Sequence, residues 1–257
     1  MILAAKQVSL SVADFMLLQD IDLALEAGQV TAIIGPNGAG KTSLLRALSG
    51  EKKPSKGEVV FNGRSLQSWQ PLDLAKLLAV LPQSSELNFP FTASEVVALG
   101  RIPHASGAVK DAEIVDAALQ KVDGSYLDKR FYTHMSGGEK QRVQLARVLA
   151  QIWEPVEAGS RLLILDEPTS AFDLAHQQLT LEIVRSLACQ GVAVLMVIHD
   201  LNLAARCADQ LVMLSGGRIV ARGTPEQVLT VDNIQQVFSV DASISQHPST
   251  GTPLVIT

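Results

Sequence analysis

At 257 residues, 47% of them hydrophobic, the chain is long enough to bury a full α/β core, yet it holds no apolar run of the ~18–20 residues that a membrane span requires. A formal charge of −5 argues against a nucleic-acid surface as its main business, and the local basic cluster Lys52, Lys53 and Lys56 reads as a solvated loop. Cys189 and Cys207 have neither metal nor redox spacing, and Met1 to Lys6 lacks the basic start and apolar segment of a secretory signal, so a soluble, cytoplasmic chain is expected.

In chain order, residues 6–12 and 19–25 alternate apolar and polar positions, which predicts two half-buried strands. Val30-Thr31-Ala32-Ile33-Ile34 is β-branched and apolar throughout, the pattern of a buried parallel strand. Gly35-Pro36-Asn37-Gly38-Ala39-Gly40-Lys41-Thr42 follows, a complete GxxxxGK[ST] loop, and Thr42 to Leu48 then has helical character. In that context the glycines let backbone N–H groups turn inward around a phosphate, and the helix N-terminus adds partial positive charge. Lys41 would reach the β- and γ-phosphates and the Thr42 hydroxyl would ligate Mg²⁺, so a nucleoside triphosphate is the expected ligand.

Glu58 to Gly63 predicts a further strand ending in a turn, and Gln83 follows Val80-Leu81-Pro82 at another strand end, where its amide oxygen would reach a metal or water. Helical periodicity then runs through residues 93–99, 111–122 and 139–151 with no strand signal between them, an insertion into an otherwise α/β chain. Within it, Ser136-Gly137-Gly138-Glu139 is a capping box with two glycines that a cap does not need, and bare N–H groups beside a serine hydroxyl make a second anion site. Such a second loop would close over nucleotide held by another chain's first loop.

Leu162-Leu163-Ile164-Leu165-Asp166-Glu167 is an apolar strand delivering two carboxylates at its C-terminal end, where ligands of parallel sheets bind. Asp166 suits the Mg²⁺ shell, and Glu167 is placed to polarise a water for attack on the γ-phosphate. An amphipathic helix with Leu179, Ile183, Val184 and Leu187 on one face follows, then strands at 192–198 and 210–214. His199 ends the first of these and would contact the γ-phosphate. Strand–helix alternation of this kind predicts a parallel sheet covered on both faces. The tail from Thr224 predicts only short helical segments.

Taken together, these residues resemble the nucleotide-binding subunits of ATP-binding-cassette transporters over nearly the whole chain. Gly35 to Thr42 is similar to the Walker A loop, with Ser43 keeping a second hydroxyl, Gln83 to the Q-loop and Ser136 to Glu139 to the signature loop. Leu162 to Asp166 is similar to Walker B, Glu167 to its catalytic glutamate, Ser170-Ala171-Phe172-Asp173 to the D-loop and His199 to the switch histidine. The resemblance implies a P-loop NTPase core with an N-terminal antiparallel β subdomain (residues 1–91 and 153–257) and an inserted helical subdomain (residues 92–152). It also implies a head-to-tail homodimer sandwiching two ATP molecules, with Asp173 at the nucleotide and Gln83 among the metal contacts. Glu139 stands where the family usually has glutamine and should keep the capping role. By spacing, Val12 occupies the position of the family's adenine-stacking aromatic, with Phe15 nearby.

A narrower resemblance, carried by Phe91 to His104, is to importers of ferric siderophores, haem and cobalamin. Arg142 to Gln151, Asp173 to Gln178 and Ser245 to Pro248 are most similar to the haem-importing members. The resemblance implies a peripheral subunit on the cytoplasmic face of the bacterial inner membrane. Its partners would be two permease subunits and, indirectly, a periplasmic binding protein. Ferric-siderophore or cobalamin import, and a soluble cassette ATPase of cluster assembly, are the alternatives. Part of Ser84 to Phe91 is expected to line a groove for a permease helix.

Overall fold

The computed structural model describes every residue except 14, 84–86 and 88, so half of the expected permease groove over 84–91 lies outside the described residues; of the rest, Leu87 and Phe91 pack partly buried against the core and Phe89 is exposed. The chain begins with β1 (Leu3–Val12) and β2 (Phe15–Leu25), paired antiparallel, then β3 (Val30–Ile34), whose five residues are all buried. α1 (Lys41–Leu48) follows the glycine loop. β4 (Lys56–Phe61) turns back into the short β5 (Arg64–Ser65) through Asn62-Gly63, both at positive φ, the residues a tight hairpin favours. α2 (Pro71–Leu77) opens on proline, whose missing N–H is no loss in a first turn, and runs straight into β6 (Leu78–Leu81).

The helical stretch comprises α3 (Ala93–Ala98), α4 (Ala108–Lys121) and α5 (Gly137–Gln151), all packed on one another. The sequence put the start of α5 at Glu139. With Ser136 as the cap, the helix instead begins at Gly137, and Glu139 occupies the third position that a capping box needs. Next come β7 (Leu162–Asp166), α6 (Leu174–Cys189), β8 (Ala193–Val197), α7 (Leu201–Cys207), β9 (Gln210–Ser215) and β10 (Arg218–Gly223). α8 (Pro225–Val228) and α9 (Val231–Phe238) precede a hairpin of β11 (Ser243–Gln246) and β12 (Pro253–Ile256). The Asn202 side chain clasps that hairpin through both polar bonds of Val255.

β2-β1-β4-β5 form an antiparallel sheet, and β10-β9-β3-β8-β7-β6 form the main sheet, parallel but for β10 at its edge. The parallel strands are apolar on both faces, as burial on both sides demands. Alternate residues feed two cores: Val30, Ala32, Leu163, Leu165, Val194 and Met196 face the helices, whereas Ile33, Leu162, Ile164, Leu195 and Val197 face α1 and the antiparallel sheet. Register decides where function sits. Leu81 pairs Leu165, Asp166 pairs Val197 and Val197 pairs Ile33, so β6, β7, β8 and β3 end level with one another. Among the described residues, no helix is long and apolar enough to cross a membrane.

Candidate active site

Four level strand ends bring together residues far apart in sequence. β3 delivers Gly35, β7 delivers Asp166 and Glu167, and Gln83 and His199 follow two residues after β6 and β8. They meet at an open cleft of about 440 Å³ lined by Phe15, Met16, Leu17, Asn37, Gly38, Gly40, Lys41, Thr42, Ser43, Gln83, Glu167, His199, Gly216 and Gly217.

The loop is built to present its donors. Gly40, at φ 100°, is the N-cap of α1 and supplies no side-chain cap, so the first helical N–H groups are left open to the cleft. A Cβ at Gly40 would stand 2.9 Å from the Leu17 carbonyl oxygen, which excludes any other residue without a shift of β2. The Lys41 ammonium folds back and donates to the carbonyls of Gly35 (2.8 Å) and Pro36 (2.9 Å). Burial pulls its pKa down, while Glu167 and Asp166 oppose that shift.

Behind the loop, Asp166 is 4% exposed and its Oδ1 has no hydrogen-bond partner. Burial raises its pKa, and a hydrogen bond with the Thr42 side chain works against that rise. Thr42, Gln83 and Asp166 also line a smaller cavity of about 120 Å³ beside the main cleft.

Glu167 is the junction of the site. Its Oε1 lies 2.5 Å from His199 Nε2, and its Oε2 accepts from the Gln83 amide at 3.0 Å. Its backbone is left-handed, with φ 51°, uncommon for a residue carrying a Cβ. The Glu167 carbonyl accepts from the Ser170 hydroxyl (3.1 Å) and from the side-chain amide of Gln141 in α5 (3.1 Å).

The signature segment is elsewhere. Ser136 Oγ accepts from Glu139 N–H (3.3 Å), Glu139 Oε2 accepts from Ser136 N–H (2.8 Å), and Arg130 Nη1 pairs Glu139 Oε1 at 2.5 Å. Ser136, Gly137, Gly138 and Glu139 do not line the cleft, and neither does Asp173, whose carboxylate caps α6 by accepting from His176 N–H (2.9 Å). So Asn37, Gly38, Gly40 to Ser43, Gln83, Glu167 and His199 line one cleft with Asp166 behind it, whereas Gly137 of the second glycine loop lines a neighbouring cavity of about 190 Å³ with Gln83 and Gln141.

Two corrections concern residues that sequence spacing misplaced or missed. Val12 does not line the cleft, whereas Phe15, its ladder partner at the start of β2, does. Gly216 and Gly217 were not singled out; Gly217 donates to the Ala39 carbonyl and accepts from Gln19 N–H, tying the β9–β10 turn to both loop and hairpin. Gly-Gly signals a turn, but its place beside the loop depends on β9 lying next to β3.

The family model described as ABC transporter matches residues 18–170. The hemin import ATP-binding protein HmuV of Pseudomonas entomophila is 55% identical over 93% of this chain and 93% of its own. That of Myxococcus xanthus is 50% identical over 93% of this chain and 90% of its own. A solved ABC transporter in an inward-facing conformation superposes with a TM-score of 0.81 and 26% identity, covering 99% of this chain and 96% of that one. With its glycine loop, strand-end carboxylates and separate capped glycine pair in one fold, this chain belongs to the ABC transporter family.

Proposed function

We propose that this chain is the ATP-hydrolysing subunit of a hemin importer, working as a head-to-tail dimer beneath a separate membrane permease on the cytoplasmic face of the bacterial inner membrane. The observation that carries the ATPase reading is the Glu167 carboxylate, held by Gln83 and His199 at the mouth of the cleft that contains Lys41. The cargo reading rests on kinship with relatives named for hemin import.

In this reading the N–H groups of Gly38 to Thr42 and the Lys41 ammonium hold the β- and γ-phosphates of ATP. An ionised carboxylate has about four acceptor positions, and two bonds from Gln83 and His199 leave room for Glu167 to orient a water towards the γ-phosphate. Phe15 at the cleft wall offers the base a stacking face. Asp166 and Thr42 fit Mg²⁺, because the orphaned, buried Oδ1 and the neighbouring hydroxyl are hard oxygen donors, with Gln83 lining the same small cavity. Bound there, Mg²⁺ would neutralise charge on the phosphates. The loop Ser136 to Glu139, with Asp173, would complete the site of a second copy, and residues 92–152 would act as the helical subdomain that carries it.

Glu167→Gln should keep ATP binding and reduce turnover by about 100-fold or more, the scale of a lost general base. A rate near wild type would remove Glu167 from the chemistry. For the cargo, a strain lacking this gene should fail to grow with hemin as its iron source and recover on complementation. Normal growth on hemin with failure on a ferric siderophore would replace the cargo and leave the ATPase reading intact.

A further inference from the structure

We infer that Gln141, on the second turn of α5, is a positioning residue that holds Glu167 in its working conformation and joins it to the helix bearing the second glycine loop. This rests on the reading of Glu167 as the residue that orients water.

Gln141 reaches out of the helical layer with both ends of its amide. Its Nε2 donates to the Glu167 carbonyl at 3.1 Å, and its Oε1 accepts from Ala171 N–H at 3.3 Å. Both partners are backbone groups, one acceptor and one donor, so the amide can face only one way. Glu167 needs such a partner. Its φ of 51° belongs to a region that a side-chain-bearing residue occupies only when its surroundings hold it there. The other groups on its carbonyl, Ser170 N–H and Ser170 Oγ, come from its own turn and would move with it. Gln141 is anchored in a separate element, a 15-residue helix, and so fixes the turn from outside. The two elements also touch nearby, where a Cβ on Gly138 would meet the Ala171 carbonyl at 3.2 Å.

The consequence is a direct link within one chain. α5 begins with the loop that would serve the partner's nucleotide, and about one turn later its Gln141 grips the backbone of the carboxylate that serves its own. A movement of α5 therefore reaches Glu167 through a single amide, and the carboxylate's aim depends on where α5 sits.

The test uses the full chain, with steady-state ATPase measured against ATP concentration and pH. Gln141→Met preserves length and bulk without polar atoms. Its kcat should fall about tenfold or more, as misaligned catalytic groups do, with KM for ATP within twofold of wild type. Gln141→Glu keeps the acceptor for Ala171 but sets a carboxylate oxygen against the Glu167 carbonyl. Its kcat relative to wild type should rise as pH falls from 8 to 6, because a protonated carboxyl regains an O–H donor. Loosened packing would not produce that pH dependence. Wild-type turnover in Gln141→Met, or a flat Gln141→Glu ratio, overturns the role of Gln141. Glu167→Gln run alongside separates the two readings: if it too hydrolyses ATP normally, the assignment of Glu167 fails first.

Discussion

α1 and α5 each start beside glycines with donors aimed outward, yet the two ends are finished in opposite ways. α1 is capped by Gly40 alone, at φ 100° and with no side chain to satisfy its first N–H groups. α5 is closed by a reciprocal box between Ser136 and Glu139, with Arg130 on the carboxylate. The first end leaves its N–H groups open to a cleft that Lys41, Glu167 and His199 also line. At the second, Ser136 takes up the Glu139 N–H, and the Glu139 carboxylate sets a negative charge beside the Gly137 and Gly138 N–H groups. A helix N-terminus thus becomes a binding site or a finished cap according to what occupies its cap position. In the proposed reading, α1 holds phosphate within its own chain, and α5 contributes to phosphate binding only when another copy faces it.

The sharpest way to break that contrast is to place a methyl group at each end. Gly40→Ala puts a Cβ 2.9 Å from the Leu17 carbonyl at a left-handed position, and should cost about 1–3 kcal/mol of stability and most of the ATP affinity. Gly137→Ala meets nothing within 4 Å and should leave both unchanged. Chemical denaturation and titration with a fluorescent ATP analogue measure the pair; equal effects would erase the distinction. A smaller effect is expected at the base. Phe15→Ala should weaken ATP binding about tenfold, since a base–aromatic stack is worth ~1–3 kcal/mol, with no loss of stability from a side chain 71% exposed. Unchanged affinity would remove Phe15 as the stacking face.

The smallest effect concerns the closed end. Ser136 N–H, ahead of the Ser136 side chain and Arg130, holds the Glu139 carboxyl below the usual carboxylate range. A carboxyl depressed in the folded state contributes stability above its unfolded pKa of about 4.3 and loses it as pH falls through the lower, folded value. Glu139→Gln should keep the cap, flatten that acid-side loss in denaturation midpoints, and tighten ATP-induced dimerisation a few-fold by removing a charge that opposes phosphate. Weaker dimerisation would mean that the carboxylate itself is needed.

The sequence carries the open end more clearly than the closed one. Gly35 to Thr42 between an apolar strand and a helix leaves little freedom, and Asp166 and Glu167 at a strand end place themselves once the sheet is parallel. Register then supplies what spacing cannot: the level ends of β6, β7 and β8 bring Gln83 and His199 onto Glu167. Spacing named Phe15 only as a neighbour of Val12, because the two are partners across the β1–β2 ladder and the packing of that sheet decides which of them meets the loop. β11 and β12 eluded spacing because Ser243 to Gln246 has too few apolar positions to show alternation; the Asn202 clasp on Val255 stands in for that missing burial. Gln141 looked like any polar residue of an amphipathic helix. Its meaning lies in a contact 26 residues away.

The central claim, that an open loop of one chain is completed by the capped loop of another, can be tested by mixing two disabled chains. Lys41→Ala removes the cation from the cleft, and Gly137→Glu adds charge to the second loop at a position with space for it. Each chain alone should be nearly inactive. In an equal mixture a head-to-tail dimer leaves one intact composite site in each mixed pair, so about a quarter of wild-type ATPase activity should return. Activity no greater than the sum of the two separate chains would contradict the shared site.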